Sequence, residues 1–290
     1  MINGIINVYK EEGYTSFDVV AKLRGITKIR KIGHTGTLDP DATGVLPVCI
    51  GSATKLVDML TDKTKEYVAD MKLGITTDTQ DISGQVIDKK EVNITIDEFR
   101  DAILSFIGAS KQIPPMYSAL KVDGKKLCDM ARAGITVERK PRDININDIE
   151  ILDIDRTSAK VRVSCSKGTY IRTLCNDIGE RLGCGAVMTG LVRTRSGSFT
   201  IDKAYRLDQI EELAKKGELE SIVTRVDEVF SDYARVTVSA ETEKRVLNGN
   251  QIRLDSKEEF LRVYLENGQF AAVYLFDSAK GCFVPFKMFL

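Results

Sequence analysis

A single histidine, His34, stands among 290 residues. That scarcity removes chemistry that needs a cluster of imidazoles, zinc sites of the usual kind among them. Six cysteines are present, at 49, 128, 165, 175, 184 and 282, and none forms a C-x-x-C pair. A metal ribbon or redox dithiol therefore has no ligands at the usual spacing. Several of these cysteines lie in apolar or alternating runs, the pattern of reduced, buried thiols in a cytoplasmic protein. The sequence has no G-x-G-x-x-G fingerprint and no P-loop, so no cofactor is expected. No G-x-S-x-G elbow surrounds a serine, which disfavours a Ser-His-Asp hydrolase built on His34. No apolar run approaches a membrane span and no secretory leader opens the chain, so the expectation is a cytoplasmic protein with no membrane association. Net charge is absent too: 42 basic residues balance 42 acidic ones. A nucleic-acid-binding surface would have to be a local patch. Lys22, Arg24, Lys28, Arg30 and Lys31 form one acid-free candidate, and Arg193 and Arg195, with Arg172 and Arg181 upstream, form another.

What is there reads as α+β, with a mixed or antiparallel sheet, because strands and helices interleave without a regular βαβ repeat. Residues 2–9 read as a strand and are followed by a helix with Ser16 as N-cap and Val19, Val20 and Leu23 inward. A strand at 45–50 and a helix at 53–60 come next. Residues 65–73 alternate, with Tyr67, Ala69, Met71 and Leu73 on one face. Thr95 and Glu98 form a capping box for a helix stopping at Gly108. A short helix is expected at 126–133 and a strand at 159–165. Thr169 is the expected cap of a helix reaching about Leu182. Composition shifts near residue 228. The expected division is a catalytic domain at 1–228 and a small β-rich domain at 229–290, with strands at 235–238, 251–254, 261–265, 270–276 and 283–289.

The most informative segment runs from Gly33 to Pro47: Gly-His-Thr-Gly-Thr-Leu-Asp-Pro-Asp-Ala-Thr-Gly-Val-Leu-Pro. Three glycines and two prolines give it a compact shape without helical or strand period. It presents Asp39 and Asp41. A carboxylate on a shaped loop suits a nucleophile or base, and Asp39-Pro40 equally suits an Asx turn.

This segment resembles the catalytic motif of the TruB family, the tRNA pseudouridine-55 synthases, and meets each of its fixed positions. Four further blocks resemble the same family. They are Lys65-Glu66-Tyr67 with Thr77-Asp78-Thr79-Gln80-Asp81, Gly168-Thr169-Tyr170-Ile171-Arg172-Thr173-Leu174, Leu191-Val192-Arg193-Thr194-Arg195, and Pro114-Pro115 with Ser118-Ala119-Leu120-Lys121. The opening block departs at Glu11, which replaces a proline after Lys10, and farther along Cys128 stands where a tyrosine is usual. The resemblance covers most of residues 1–200 and fades beyond.

The resemblance implies a pseudouridine synthase catalytic domain followed by a PUA-like RNA-binding domain. The substrate would be a uridine in the T-stem-loop of tRNA, at position 55, extruded from its stack and isomerised. Asp39 becomes the catalytic carboxylate and Asp41 a bystander. Asp39 would attack C1′, add to C6, or take the C2′ proton, and each route starts from the ionised form. Arg172 becomes its partner. Independently, a cation in the first turn of a helix opposes the helix dipole and calls for an anion, Asp39 or one of Asp177 and Glu180. Tyr67 would stack on the base, a role compatible with its place on an apolar strand face. Tyr170 would act near C5 and Leu191 would wall the pocket. His34 would hold the displaced RNA, and Lys10, Lys22, Arg30 and Lys31 complete the substrate-binding set. No metal is expected, and the protein is expected to be a monomer. The alternatives are a non-catalytic tRNA-binding or folding protein and a guide-RNA-dependent synthase subunit.

Overall fold

The computed structural model describes residues 2–290. β1 spans Gly4–Lys10 and leads into α1, Ser16–Thr27. Val19, Val20 and Leu23 are buried as their spacing predicts, but the cap is Thr15, not Ser16. Thr15 Oγ1 accepts the Asp18 N–H, and the Asp18 carboxylate accepts the Thr15 N–H at 2.9 Å. A threonine three residues before an acid outcompetes the serine because this box satisfies two end donors at once. Ser16 is left buried beneath a neighbouring loop.

β2 (Ile32–His34) and β3 (Thr43–Ile50) form a hairpin that carries the glycine-rich loop at its tip. The helix expected at 53–60 is a 3-10 turn, Gly51–Leu56, running into α2, Val57–Thr61. β4 is Lys65–Leu73, as the alternation predicts, and the hairpin of β5 (Ile75–Thr77) and β6 (Val86–Lys89) projects from its end. α3 runs over Ile96–Leu104 from the Thr95–Glu98 box. Gly108, expected to end that helix, instead opens β7, Gly108–Gln112. The two-residue strands β8 (Lys121–Val122) and β9 (Lys125–Lys126) precede α4, Leu127–Arg132.

β10 (Arg142–Ile154) and β11 (Ser158–Cys165) lead to α5, Ile171–Arg181. Tyr170, not Thr169, is the N-cap residue, because the Thr169 hydroxyl turns back to donate to Ser166 O at 3.0 Å. β12 (Ala186–Ser196), β13 (Phe199–Thr200), α6 (Leu207–Lys216) and β14 (Val223–Arg225) follow.

The main sheet has the order β14-β1-β3-β12-β4-β11-β10-β7, with β2 on β3 and β13 on β12. It is mixed. β12 meets β3 in a parallel pairing of only Val192 with Thr43 and Arg193 with Gly44, between runs of antiparallel strands. Gly44 has φ +105°, and a Cβ there would lie 2.2 Å from the Arg193 carbonyl oxygen, so the seam closes only on glycine. α1 and α6 cover one half of the sheet, around Val8, Leu46 and Val48. α3 and α5 cover the other half, around Met71, Val161 and Val163.

The C-terminal unit is a four-stranded sheet of β15 (Ala234–Thr237), β16 (Phe260–Tyr264), β17 (Phe270–Asp277) and β18 (Cys282–Met288), with α7 (Ala240–Leu247) after β15. The strand expected at 251–254 is a single bridge between Ile252 and Phe283. Val273 and Phe289 of this unit share a buried cluster with Ile5, Val45 and Cys49 of the main sheet, so the two sheets are joined by core rather than by a linker.

Candidate active site

The glycine-rich loop is tied down on every side. Thr35 N–H donates to Pro47 O at 3.1 Å and Ala42 N–H to Asp39 O at 3.1 Å, which closes the turn on itself. Ser16 Oγ accepts the Leu38 N–H at 2.9 Å and faces Leu38 O at 3.3 Å, so the serine read as a helix cap anchors this loop instead. Pro40 O accepts the Gly13 N–H at 3.0 Å and the Lys10 ammonium at 2.9 Å. The departure at Glu11 is absorbed by an ion pair with Arg206 at 2.8 Å.

These ties aim Asp39 into a cavity of about 300 Å³ at the seam between β3 and β12. Tyr67 on β4 and Leu191 and Met188 on β12 supply apolar wall, and Asp39, Tyr170 and Arg172 line it as well. The cavity thus sets an apolar wall beside a carboxylate and a guanidinium, the lining of a small-ligand site. Arg172, the second residue of α5, is 6% exposed and its Nη2 lies 3.3 Å from the Asp39 carboxylate. Its Nη1 lies 3.4 Å from Asp81, and its Nη2 also donates to Tyr117 O at 2.5 Å. Asp39 is therefore the partner of Arg172, and Asp177 and Glu180 are not. The structure adds Asp81, a residue of the Thr-Asp-Thr-Gln-Asp block to which the sequence reading gave no role. Its neighbour Gln80 takes φ +66°, and Gln80 Oε1 accepts the hydroxyl of Thr173, beside Arg172, at 2.8 Å. Backbone strain there is held by two side-chain ties between the β5–β6 hairpin and α5.

Burial pushes the Asp39 carboxyl above its ordinary value, and the nearby charges of Asp81 and Asp41 add to this. Arg172 pulls the other way without cancelling the burial. The expectation that Arg172 favours the ionised form holds for its own contribution only. The Asp39 side chain remains 40% exposed along the cavity wall, open to a ligand. Burial raises the Tyr67 phenol against the pull of Arg193, and it raises Tyr170 as well. Gln112 holds Tyr170 by its backbone, accepting its N–H at 2.8 Å and donating to its carbonyl at 3.0 Å. His34 is half-buried, its Nδ1 accepts the Gly36 N–H at 3.4 Å, and burial lowers its pKa, which leaves a neutral ring with Nε2–H free to donate.

The basic residues distribute differently from expectation. Lys10 is fully buried, with its ammonium on the carbonyls of Glu11 and Pro40, and burial brings its pKa down to about 8. It supports the loop and has no surface from which to meet a phosphate. Arg193, read as part of a surface patch, is 1% exposed. Lys22 lies in a groove between α1 and α6 shared with Asp18, Asp208 and Glu211, outside the cavity. Arg30 and Lys31 are exposed before β2, also outside the cavity lining. A denser basic run takes in the Pro114-Pro115 and Ser118–Lys121 block: residues 111–142 hold eight basic and three acidic residues. The run leaves the cavity wall at Ser118, Ala119 and Leu120, and Lys121, Lys125, Lys126, Arg132 and Lys140 are exposed along it.

Comparison with known proteins meets this geometry. Residues 24–171 match the TruB family pseudouridylate synthase N-terminal domain, and residues 172–231 match the tRNA pseudouridylate synthase B C-terminal domain. The boundary falls between Ile171 and Arg172, so the Asp39–Arg172 pair joins the two matched regions. A protein of Lachnoclostridium phytofermentans named tRNA pseudouridine synthase B is 49% identical, covering 100% of both chains. A protein of Clostridium novyi with the same name is 48% identical over 96% of each. Among solved structures, a chain of a Cbf5-Nop10-Gar1 complex superposes with TM-score 0.72 and 26% identity, covering 99% of this chain and 85% of that one. The matched family models and these relatives thus define an enzyme of the pseudouridine synthase class, an isomerase. Within that class the chain belongs to the TruB family.

Proposed function

We propose that the protein converts a uridine in the T-loop of tRNA, position 55, to pseudouridine. The observation that carries this reading is the Asp39–Arg172 pair, at 3.3 Å, facing Tyr67 across a cavity sized for a base. The reaction breaks N1–C1′ and forms C5–C1′ within one nucleotide, while C5 loses a proton and N1 gains one, so atoms and electrons balance without a second substrate. The base leaves its stack at a cost of a few kcal/mol, on the order given for flipped nucleotides, and rests on Tyr67. Ionised Asp39 begins the chemistry at C1′, C6 or the C2′ proton. Leu191 closes the pocket, Tyr170 stands where the C5 proton leaves, and neutral His34 donates to the displaced strand. Arg30, Lys31 and the basic run at 111–142 meet phosphates.

The reading extends to residues 229–290 as a PUA-like RNA-binding domain, supported by a separate small sheet beside the catalytic one. It also takes the protein as a cytoplasmic monomer acting on one tRNA, which sedimentation with and without tRNA tests. Among the described residues no helix is long and apolar enough to cross a membrane.

The deciding experiment is tritium release from an unmodified tRNA transcript labelled at uridine C5. Release is expected from wild type and Asp41→Ala and not from Asp39→Ala. A wild type that binds tRNA but releases nothing would instead be a binding protein or a subunit that needs a guide RNA.

A further inference from the structure

Arg193 is among the largest fully buried side chains of the protein, and no carboxylate lies within ion-pair distance of it among the described residues. A buried cation without an anionic partner is costly and calls for a reason. Its hydrogen bonds supply one. Nε donates to Val45 O at 2.7 Å and Nη2 to Gly36 O at 3.3 Å. These two carbonyls flank the turn that carries Asp39, one on each side. The Arg193 backbone meanwhile pairs with Gly44 on one side and with Tyr67 on the other. Arg193 thus touches the loop that bears the carboxylate and the strand that bears the aromatic platform, and it lines the cavity between them.

We infer that Arg193 is a positioning residue for the isomerisation: its guanidinium fixes the separation of Asp39 from Tyr67, and with it the gap in which the base is held. The inference rests on the reaction assigned above. The two carbonyls are met by two different nitrogens of one planar fork, a spacing that the single nitrogen of a lysine ammonium does not reproduce. The neighbouring Arg195 turns outward to pair with Glu66 at 3.5 Å, so the two arginines of the same strand have opposite tasks.

The test compares Arg193→Lys and Arg193→Met with wild type by single-turnover tritium release from C5-labelled tRNA and by filter binding of the same tRNA. A misplacement of about an ångström at a reacting centre costs roughly 100-fold in rate. Arg193→Lys is expected to lose on the order of 10- to 100-fold in rate and Arg193→Met more, each with tRNA affinity within about threefold of wild type. Rates within threefold of wild type for both variants overturn the inference. So does a loss of affinity in proportion to rate, which marks Arg193 as an RNA contact. Failure of both variants to fold, judged by circular dichroism, overturns it in favour of a plain core role. If Arg193→Met alone fails to fold, Arg193→Lys decides. Absence of release from wild type contradicts the assigned reaction itself, a result separate from any of these.

Discussion

Arg172 Nη2 lies 3.3 Å from the carboxylate of Asp39, a residue 133 positions earlier in the chain. The pair is held from both sides. Asp39 sits on a loop anchored by Ser16, Gly13 and Lys10, and Arg172 sits at the start of a helix tied to the β5–β6 hairpin. Burial raises the pKa of this carboxylate, whereas the proposed reaction starts from its ionised form.

Asp39→Asn should abolish tritium release while leaving the fold intact. Because the folded pKa of Asp39 is raised, its ionised form costs stability once pH exceeds the unfolded value. Removing that charge should leave the melting temperature at pH 7 unchanged or higher. Calorimetry of the variant checks this, and a marked drop would mean that the ion pair is a net stabiliser.

Asp81→Asn separates two effects. The Asp81 charge raises the Asp39 pKa, so its removal should move the acid limb of the rate profile to lower pH. The same change weakens one of the two carboxylate contacts of Arg172, and the rate on the plateau should fall about tenfold, the scale of one charge-assisted hydrogen bond. A profile that keeps its acid limb in place would remove Asp81 from the electrostatics of Asp39.

Thr15→Ala and Ser16→Ala should part company. Loss of the Thr15 cap should cost about 1 kcal/mol of stability with little change in rate. Loss of the Ser16 hydroxyl frees Leu38 and should slow catalysis, with a stability cost of about 1–3 kcal/mol for the buried Leu38 N–H left without a partner. Equal rates for the two variants would deny the loop-anchoring role of Ser16.

The contrast between these neighbours shows what was legible in the sequence and what was not. Asp39, Tyr67, Tyr170, Arg172 and Leu191 were readable because they fall in contiguous blocks, and all five line the cavity. Ser16, Lys10 and Arg193 carry out their tasks through contacts far along the chain, which no local pattern reveals. Arg193 and Arg195 also look equivalent in a strand, two positions apart. A register shift between Arg193 and Arg195 breaks the alternation, so one turns in and the other out. The strand Arg142–Ile154 escaped detection for the same reason, since irregularities between Ile146 and Asp148 and between Ile151 and Asp153 interrupt its period.

Lys10 links stability to alkaline pH. Burial brings its folded pKa down to about 8 against an ordinary lysine value of 10.5, so between those limits the unfolded chain holds more protons than the folded one. Stability should therefore rise with pH across that window, and Lys65, with the same shift, should add to it. Lys10→Met removes the Lys10 part of the rise. Urea unfolding at pH 7.5 and pH 10 should give a smaller difference for the variant, and an equal difference would show that burial does not lower the Lys10 pKa.

Binding of tRNA should depend on salt despite a net charge of zero. Phosphate contacts release counterions, so affinity falls linearly on a log–log plot with a slope set by the number of contacts. The exposed run at Lys121, Lys125 and Lys126 leaves the lip of the cavity, whereas Lys22 sits among Asp18, Asp208 and Glu211. Replacing Lys125 and Lys126 with alanine should lower the slope by about 1–2, on the rule that each lost phosphate contact removes nearly one unit. Lys22→Ala should leave the slope unchanged, because its acidic neighbours repel a phosphate. A fall in slope for Lys22→Ala with none for the double variant would move the RNA path from the basic run to the α1–α6 face.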